Sequence, residues 1–220
     1  MPTARESLLD AALTALETLP WPAVRMVDVA SRARVSRQTL YNEFGGKEGL
    51  ARALVRRETD VYLRGVDRAL AEPPAPGGHP ADRLVRLAEW TLRAARSRPL
   101  VRALLTGCWG PRLPAPSVRL PGPGRVVPAQ RRADAGVPGP GELVAAVRDR
   151  ALAALEREAP GADPAELARY CETAVRIGLS CVVAPPGREE EHAAYVRAVL
   201  GRLPAREGTV ARRVTPGAAP

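Results

Sequence analysis

The chain is 220 residues long, 45% hydrophobic and formally +9 at neutral pH. That size and apolar share exclude a disordered chain and allow one large domain or two small ones with a real core. With only 3 Trp, 4 Tyr and 1 Phe, the core must be mostly Leu, Val and Ala, a mixture that favours helices over strands.

The first residues, Met1 to Glu6, lack the apolar centre of a signal peptide, and no run of about 18 apolar residues suggests a membrane span. Cys108, Cys171 and Cys181 are odd in number and widely spaced. They are expected to be reduced, buried thiols in a cytoplasmic protein. The positive charge suits a polyanionic partner, but it is unevenly placed. Residues 1–60 hold 9 basic and 8 acidic groups, whereas 25–47 carry five basic residues (Arg25, Arg32, Arg34, Arg37, Lys47) against Asp28 and Glu43. Lys47 is the sole lysine of the chain.

In chain order, Leu8, Leu9, Ala12, Leu13, Leu16 and Leu19 recur at helical spacing, with Thr3 and Glu6 as a capping box at the start. Pro20 and Pro22 end that helix. A short second helix is expected over 26–33, and Ser36 opens a third that reaches Phe44. Gly45 and Gly46 break the chain before a long fourth helix from Lys47 to about Leu70. A Pro/Gly loop at 73–80 precedes a helix through Leu84, Leu87, Ala88, Thr91, Leu92 and Ala95. Pro99 then starts a short helix that ends near Gly107.

Residues 110–141 are rich in Pro and Gly, contain several arginines and keep no periodic pattern, so a surface loop is expected. Helical pattern returns at about 142–158. Asp163, Pro164 and Glu166 are start signals for a helix reaching about Ala184, and a last helix spans about 188–203. The residues 205–220 are expected to form a disordered tail. With no βαβ alternation, the fold class is all-α.

The segment MVDVASRARVSRQTLYNEFGGKEGL, residues 26–50, is the informative one. Val29, Ala30, Ala33, Val35 and Leu40 stand where two short helices would pack at a steep angle, and Ser36 can cap the second through its hydroxyl. Its outer face offers Arg37, Gln38, Thr39, Tyr41 and Asn42, all able to contact bases or phosphates. This spacing of Ser36, Thr39, Leu40, Tyr41, Phe44, Lys47 and Leu50 resembles the tetracycline-repressor (TetR-like) family of regulators. The resemblance is strong over about 5–55 and weaker over 164–203.

The resemblance implies a helix-turn-helix DNA-binding domain at 1–48 and a helical effector-binding and dimerisation domain at 49–204. It implies that Arg37, Gln38 and Thr39 face the major groove and that Tyr41 meets phosphate or sugar. Lys47 would bind phosphate at the start of the fourth helix, and Arg25 could reach phosphate as well. Partners implied are a palindromic double-stranded operator, a second copy through about 164–203, and a small-molecule effector of unstated identity. Two residues depart from the pattern. Arg34 stands where such turns usually place Gly, and would cost about 1 kcal/mol if left-handed. Glu43 would place an acid beside phosphate.

No HExxH, GxSxG or phosphate-loop pattern is present, so neither an enzyme nor a cofactor or metal site is expected. Trp90, Cys108, Trp109 and Tyr170 could line a ligand cavity between the middle helices, although aromatics at such positions are more often plain core. The rival to a DNA-binding regulator is a helical ligand-binding or thiol redox-sensing protein in which DNA binding is secondary or lost.

Overall fold

The computed structural model describes residues 2–72, 81–115, 137–157, 161, 163–185 and 189–200. The loop at 73–80, most of the 110–141 segment and the tail after Pro204 lie outside these residues. Among the described residues there are nine α-helices and no strand.

Helix α1, Ala4–Thr18, begins where the sequence indicates. The Thr3 hydroxyl accepts the Glu6 N–H at 3.2 Å, and the Glu6 carboxylate accepts the Thr3 N–H at 2.8 Å. Two free donors of the helix end are thereby satisfied, and the same bonds hold the Glu6 carboxyl below its ordinary range. The prolines that follow cannot continue α1. A single 3-10 turn, Trp21–Ala23, leads instead to α2, Met26–Arg32, and α3, Arg37–Phe44. Gly45, left-handed at φ 69°, closes α3 by donating its N–H to the Tyr41 carbonyl at 2.8 Å.

Helix α4, Lys47–Ala71, is the longest element and is shared by two apolar cores. Leu8, Leu9, Val29, Leu40, Phe44 and Leu54 belong to the smaller core, built on α1 to α3 and the first part of α4. From Val55 onward, α4 joins the larger core with α5 (Ala81–Ser97) and α6 (Pro99–Thr106). The other members are α7 (Pro140–Glu156), α8 (Pro164–Val183) and α9 (Glu189–Leu200). Leu13 and Leu16 of α1 pack against both.

In the larger core α8 lies across α5 and α7, while α5 also takes α4 and α9. Trp90 of α5 lies directly on the α4 backbone at Gly65, its Nε1–H donating to the Tyr62 carbonyl at 3.2 Å. The buried carboxylate of Glu58 accepts from Arg98 through both oxygens, each at 3.0 Å. Since an unpaired charge there would be costly, this pair fixes α4 to the residue just before α6.

Helix α7 starts at Pro140, two residues earlier than the pattern indicates. The Glu142 carboxylate accepts the Gly139 N–H at 2.8 Å, so Gly139 becomes the cap and Pro140 the first helical residue. The last helix is described over Glu189–Leu200, inside the expected 188–203. No helix among the described residues is long and apolar enough to cross a membrane.

Candidate nucleic-acid interface

Helices α2 and α3 meet through a four-residue connection whose shape is set by backbone bonds. Arg34 donates its N–H to the Ser31 carbonyl at 3.1 Å, and Val35 donates to Ala30 at 3.0 Å. This geometry puts Arg34 at φ 56°, the left-handed region that costs a side-chain-bearing residue about 1 kcal/mol. Arg34 therefore adopts the conformation that its place in the motif demands, despite not being Gly.

Ser36 caps α3 by accepting the Thr39 N–H at 3.0 Å. Its hydroxyl also lies 2.8 Å from that of Thr39, so the Thr39 side chain is partly engaged within its own helix. Leu40 and Phe44 turn inward and are buried, which fixes the opposite face of α3 outward. Arg37, Gln38, Tyr41 and Asn42 are exposed on that face, with the Gln38 amide donating to Asn42 at 3.4 Å. At Gly49, an added Cβ would fall 1.8 Å from the Phe44 carbonyl oxygen. Only a glycine lets α4 approach the end of α3 so closely.

Arg25, the cap residue of α2, and Lys47, the first residue of α4, both have partners within the chain. Arg25 pairs with Asp28 through two bonds, at 2.7 and 3.1 Å, which raise its pKa. Lys47 donates from Nζ to the Pro22 carbonyl at 2.9 Å and lies 5.2 Å from the centre of the Trp21 ring. Partial burial lowers its pKa. The Glu43 carboxylate faces Arg5 of α1 at 3.6 Å, while Arg5 lies over the Phe44 ring at 4.8 Å.

Asp28 and the Trp21–Pro22 turn were not singled out by the sequence. Asp28 carries a local signal, because an acid three residues after an arginine shares its helix face. The Trp21 contacts carry none, being made to residues remote in the chain.

The residues expected to line a cavity are not brought together in one groove. Trp90 borders an open groove of about 440 Å³ between α4 and α5, together with Arg68, Arg86 and Arg93. Cys108, Trp109 and Tyr170 do not line it. Trp109 and Tyr170 pack half-buried against the larger core. The expectation of three buried thiols needs correction at Cys108, which is exposed because it follows the left-handed Gly107 that ends α6. Cys171 and Cys181 are buried, and burial pushes the Cys171 thiol up to about 12. A thiol so disfavoured as thiolate is a poor redox sensor.

Residues 8–54 match the family of bacterial regulatory proteins described as the tetR family. Over these residues the chain is TetR-like. Its matched segment covers α2, the turn and α3, together with the adjoining parts of α1 and α4, so the described geometry is that of a TetR-type helix-turn-helix. The HTH-type transcriptional regulator AlkX of Mycobacterium tuberculosis is 38% identical over 109 residues, 50% of each chain. The chain thus spans about half the length of the curated relatives it matches. The crystal structure of the TetR family repressor AlkX from Dietzia sp. is 26% identical at a TM-score of 0.53. It covers 89% of the TetR-like chain and 94% of its own. A TetR/AcrR regulator from Thermobifida fusca, 17% identical with a TM-score of 0.58 over 92% and 98% of the two chains, shares the fold.

Proposed function

We propose that the chain is a homodimeric transcription repressor that holds a palindromic operator and is released by a small-molecule effector. Residues 1–48 form the reading head, and 49–204 the effector-binding and dimerisation part. The Ser36-capped α3 carries this reading: its inner side is locked by Leu40 and Phe44, so Arg37, Gln38, Tyr41 and Asn42 are held outward on a rigid element. Arg37, Gln38 and Thr39 would read base edges from the start of α3, with Tyr41 and Asn42 on the adjoining backbone. Ser36 would act through its cap. Lys47 keeps two ammonium donors beyond the one given to Pro22 and would use them on phosphate, and Arg25 would do likewise from its Asp28-braced position.

Dimerisation through α8 and α9 is supported by apolar side chains left in solvent on these helices. Val183 is 65% exposed, Tyr195 56% and Val199 49%. Tyr195 and Val199, four apart, share a face of α9, and large apolar groups left in solvent favour a surface that another chain covers. Pairing there would fix the separation of two α3 helices at about one turn of DNA, roughly 34–36 Å, as a palindrome requires. The effector would act by favouring a dimer of another separation. Dietzia AlkX is implicated in biodegradation of n-alkanes, and the larger core here is aliphatic, so alkane-derived molecules are the first effector class to try.

Single substitutions test the assignment. Arg37→Ala and Gln38→Ala leave the core untouched and are expected to cost about 1–3 kcal/mol of operator affinity with relaxed sequence preference in gel shifts. Lys47→Ala is expected to weaken all sequences alike and to flatten the salt dependence by roughly one unit of slope. Wild-type operator binding by both α3 variants would place the reading surface elsewhere.

A further inference from the structure

The segment that leaves α6 does not simply pass over the surface. The Arg112 carbonyl accepts the backbone N–H of Trp21 at 2.8 Å, joining the body of the protein to the turn just before α2. Both sides of that bond are anchored. On the body side, Trp109 and Leu113 pack against the larger core and Pro114 is buried. A turn closed by Leu113 N–H to the Gly110 carbonyl, at 3.0 Å, shapes the segment. On the head side, Trp21 packs against the smaller core and takes the Lys47 ammonium over its ring, while Lys47 holds the Pro22 carbonyl.

We propose that residues 109–114 form a strap that fixes the orientation of the reading head, with Trp21 as its positioning residue. The inference rests on the reading of α3 as the DNA-contacting helix. Besides the strap, the head is joined to the body by the continuous α4, by the packing of Leu13 and Leu16 and by the ion pair of Asp10 with Arg57. The Trp21–Arg112 bond adds a further point of attachment, made by the backbone of the turn before α2 and not by α4 or α1. The Trp21–Ala23 turn runs through the buried Val24 to Arg25, the cap residue of α2, so a shift of the Arg112 carbonyl is passed to the helix-turn-helix in a few bonds. In a dimer that must match two half-sites at once, an angular error at each head is felt at both.

Two measurements on the full chain test this separately from the function reading. The first needs no DNA. The Trp21 amide is expected to exchange slowly with solvent, and Leu113→Ala, which loosens the strap without touching the head, is expected to speed it about tenfold while the Leu40 amide in α3 stays protected. Unchanged Trp21 exchange in that variant would overturn the strap. The second uses operator DNA recovered by selection. Leu113→Ala is expected to lower operator affinity about tenfold, with affinity for random duplex and the salt slope preserved. Trp21→Phe, which keeps the donor and an aromatic face, is expected to bind as the wild type. Equal operator affinity in all variants would overturn the positioning role. Failure of the wild type to bind any sequence would instead refute the DNA reading, with the exchange result still deciding the strap.

Discussion

At the scale of single residues, Arg34 holds the most strained backbone in the reading head. Its φ of 56° is forced by the turn and not by any contact of its side chain. Arg34→Gly is therefore expected to stabilise the fold by up to about 1 kcal/mol, read as a higher urea midpoint at unchanged slope. An unchanged or lower midpoint would show that the surrounding chain relieves the strain in another way. The thiols divide as sharply. Cys108 is exposed, whereas Cys171 is buried with its pKa pushed up to about 12. Iodoacetamide at about pH 8 should label Cys108 in the folded protein and leave Cys171 untouched by mass spectrometry, because thiolate is the reacting form. Labelling of Cys171 at a similar rate would contradict its burial. The residue contacts that the sequence disclosed are the ones three positions apart: Thr3 with Glu6 and Ser36 with Thr39. Arg5 with Glu43, and Lys47 with Pro22, join residues far apart in the chain, and no local pattern announces them.

At the scale of elements, helix starts and stops were legible because they are settled within one turn of chain. Thr3, Ser36 and Asp163 cap through their own side chains, Pro99 and Pro164 sit at first positions, and Gly45 and Gly107 end helices in the left-handed region. What the sequence could not convey is how close two elements come. Gly65 sits mid-helix in α4, where glycine is disfavoured, and its reason is the indole of Trp90: an added Cβ would fall 2.0 Å from the ring. Gly65→Ala is expected to push the ring out, break its bond to the Tyr62 carbonyl and cost about 1–3 kcal/mol despite better helix propensity. Thermal unfolding and a red-shifted tryptophan emission would report it. A gain in stability would mean that α4 and α5 separate at little cost. Of the expected cavity residues Trp90, Cys108, Trp109 and Tyr170, Trp90 borders the groove between α4 and α5, while Trp109 and Tyr170 pack against the same large core. Helical periodicity assigns a residue to a face of its own helix, but not to a shared cavity.

At the scale of the whole molecule, a small and a large apolar core are strung on one helix, α4, and tied by the Trp21–Arg112 bond. The two cores meet along α4, with Leu50, Ala53 and Leu54 still in the smaller one and Val55 in the larger. The exposed Val183, Tyr195 and Val199 lie where the sequence resemblance had suggested pairing, on the last two helices. Charge at this scale is a weak guide. The net +9 is spread over the chain, and on the reading head several arginines are already matched, Arg25 by Asp28 and Arg5 by Glu43. The proposed function therefore rests specific recognition on the outer face of α3, presented twice at a fixed spacing. The most direct test is selection of bound duplexes from a random pool by the full chain at near-physiological salt. Enrichment of a palindrome whose half-sites lie about one helical turn apart is expected. Recovery of no preferred sequence, or of a single half-site alone, from protein shown to be folded would contradict the proposed function.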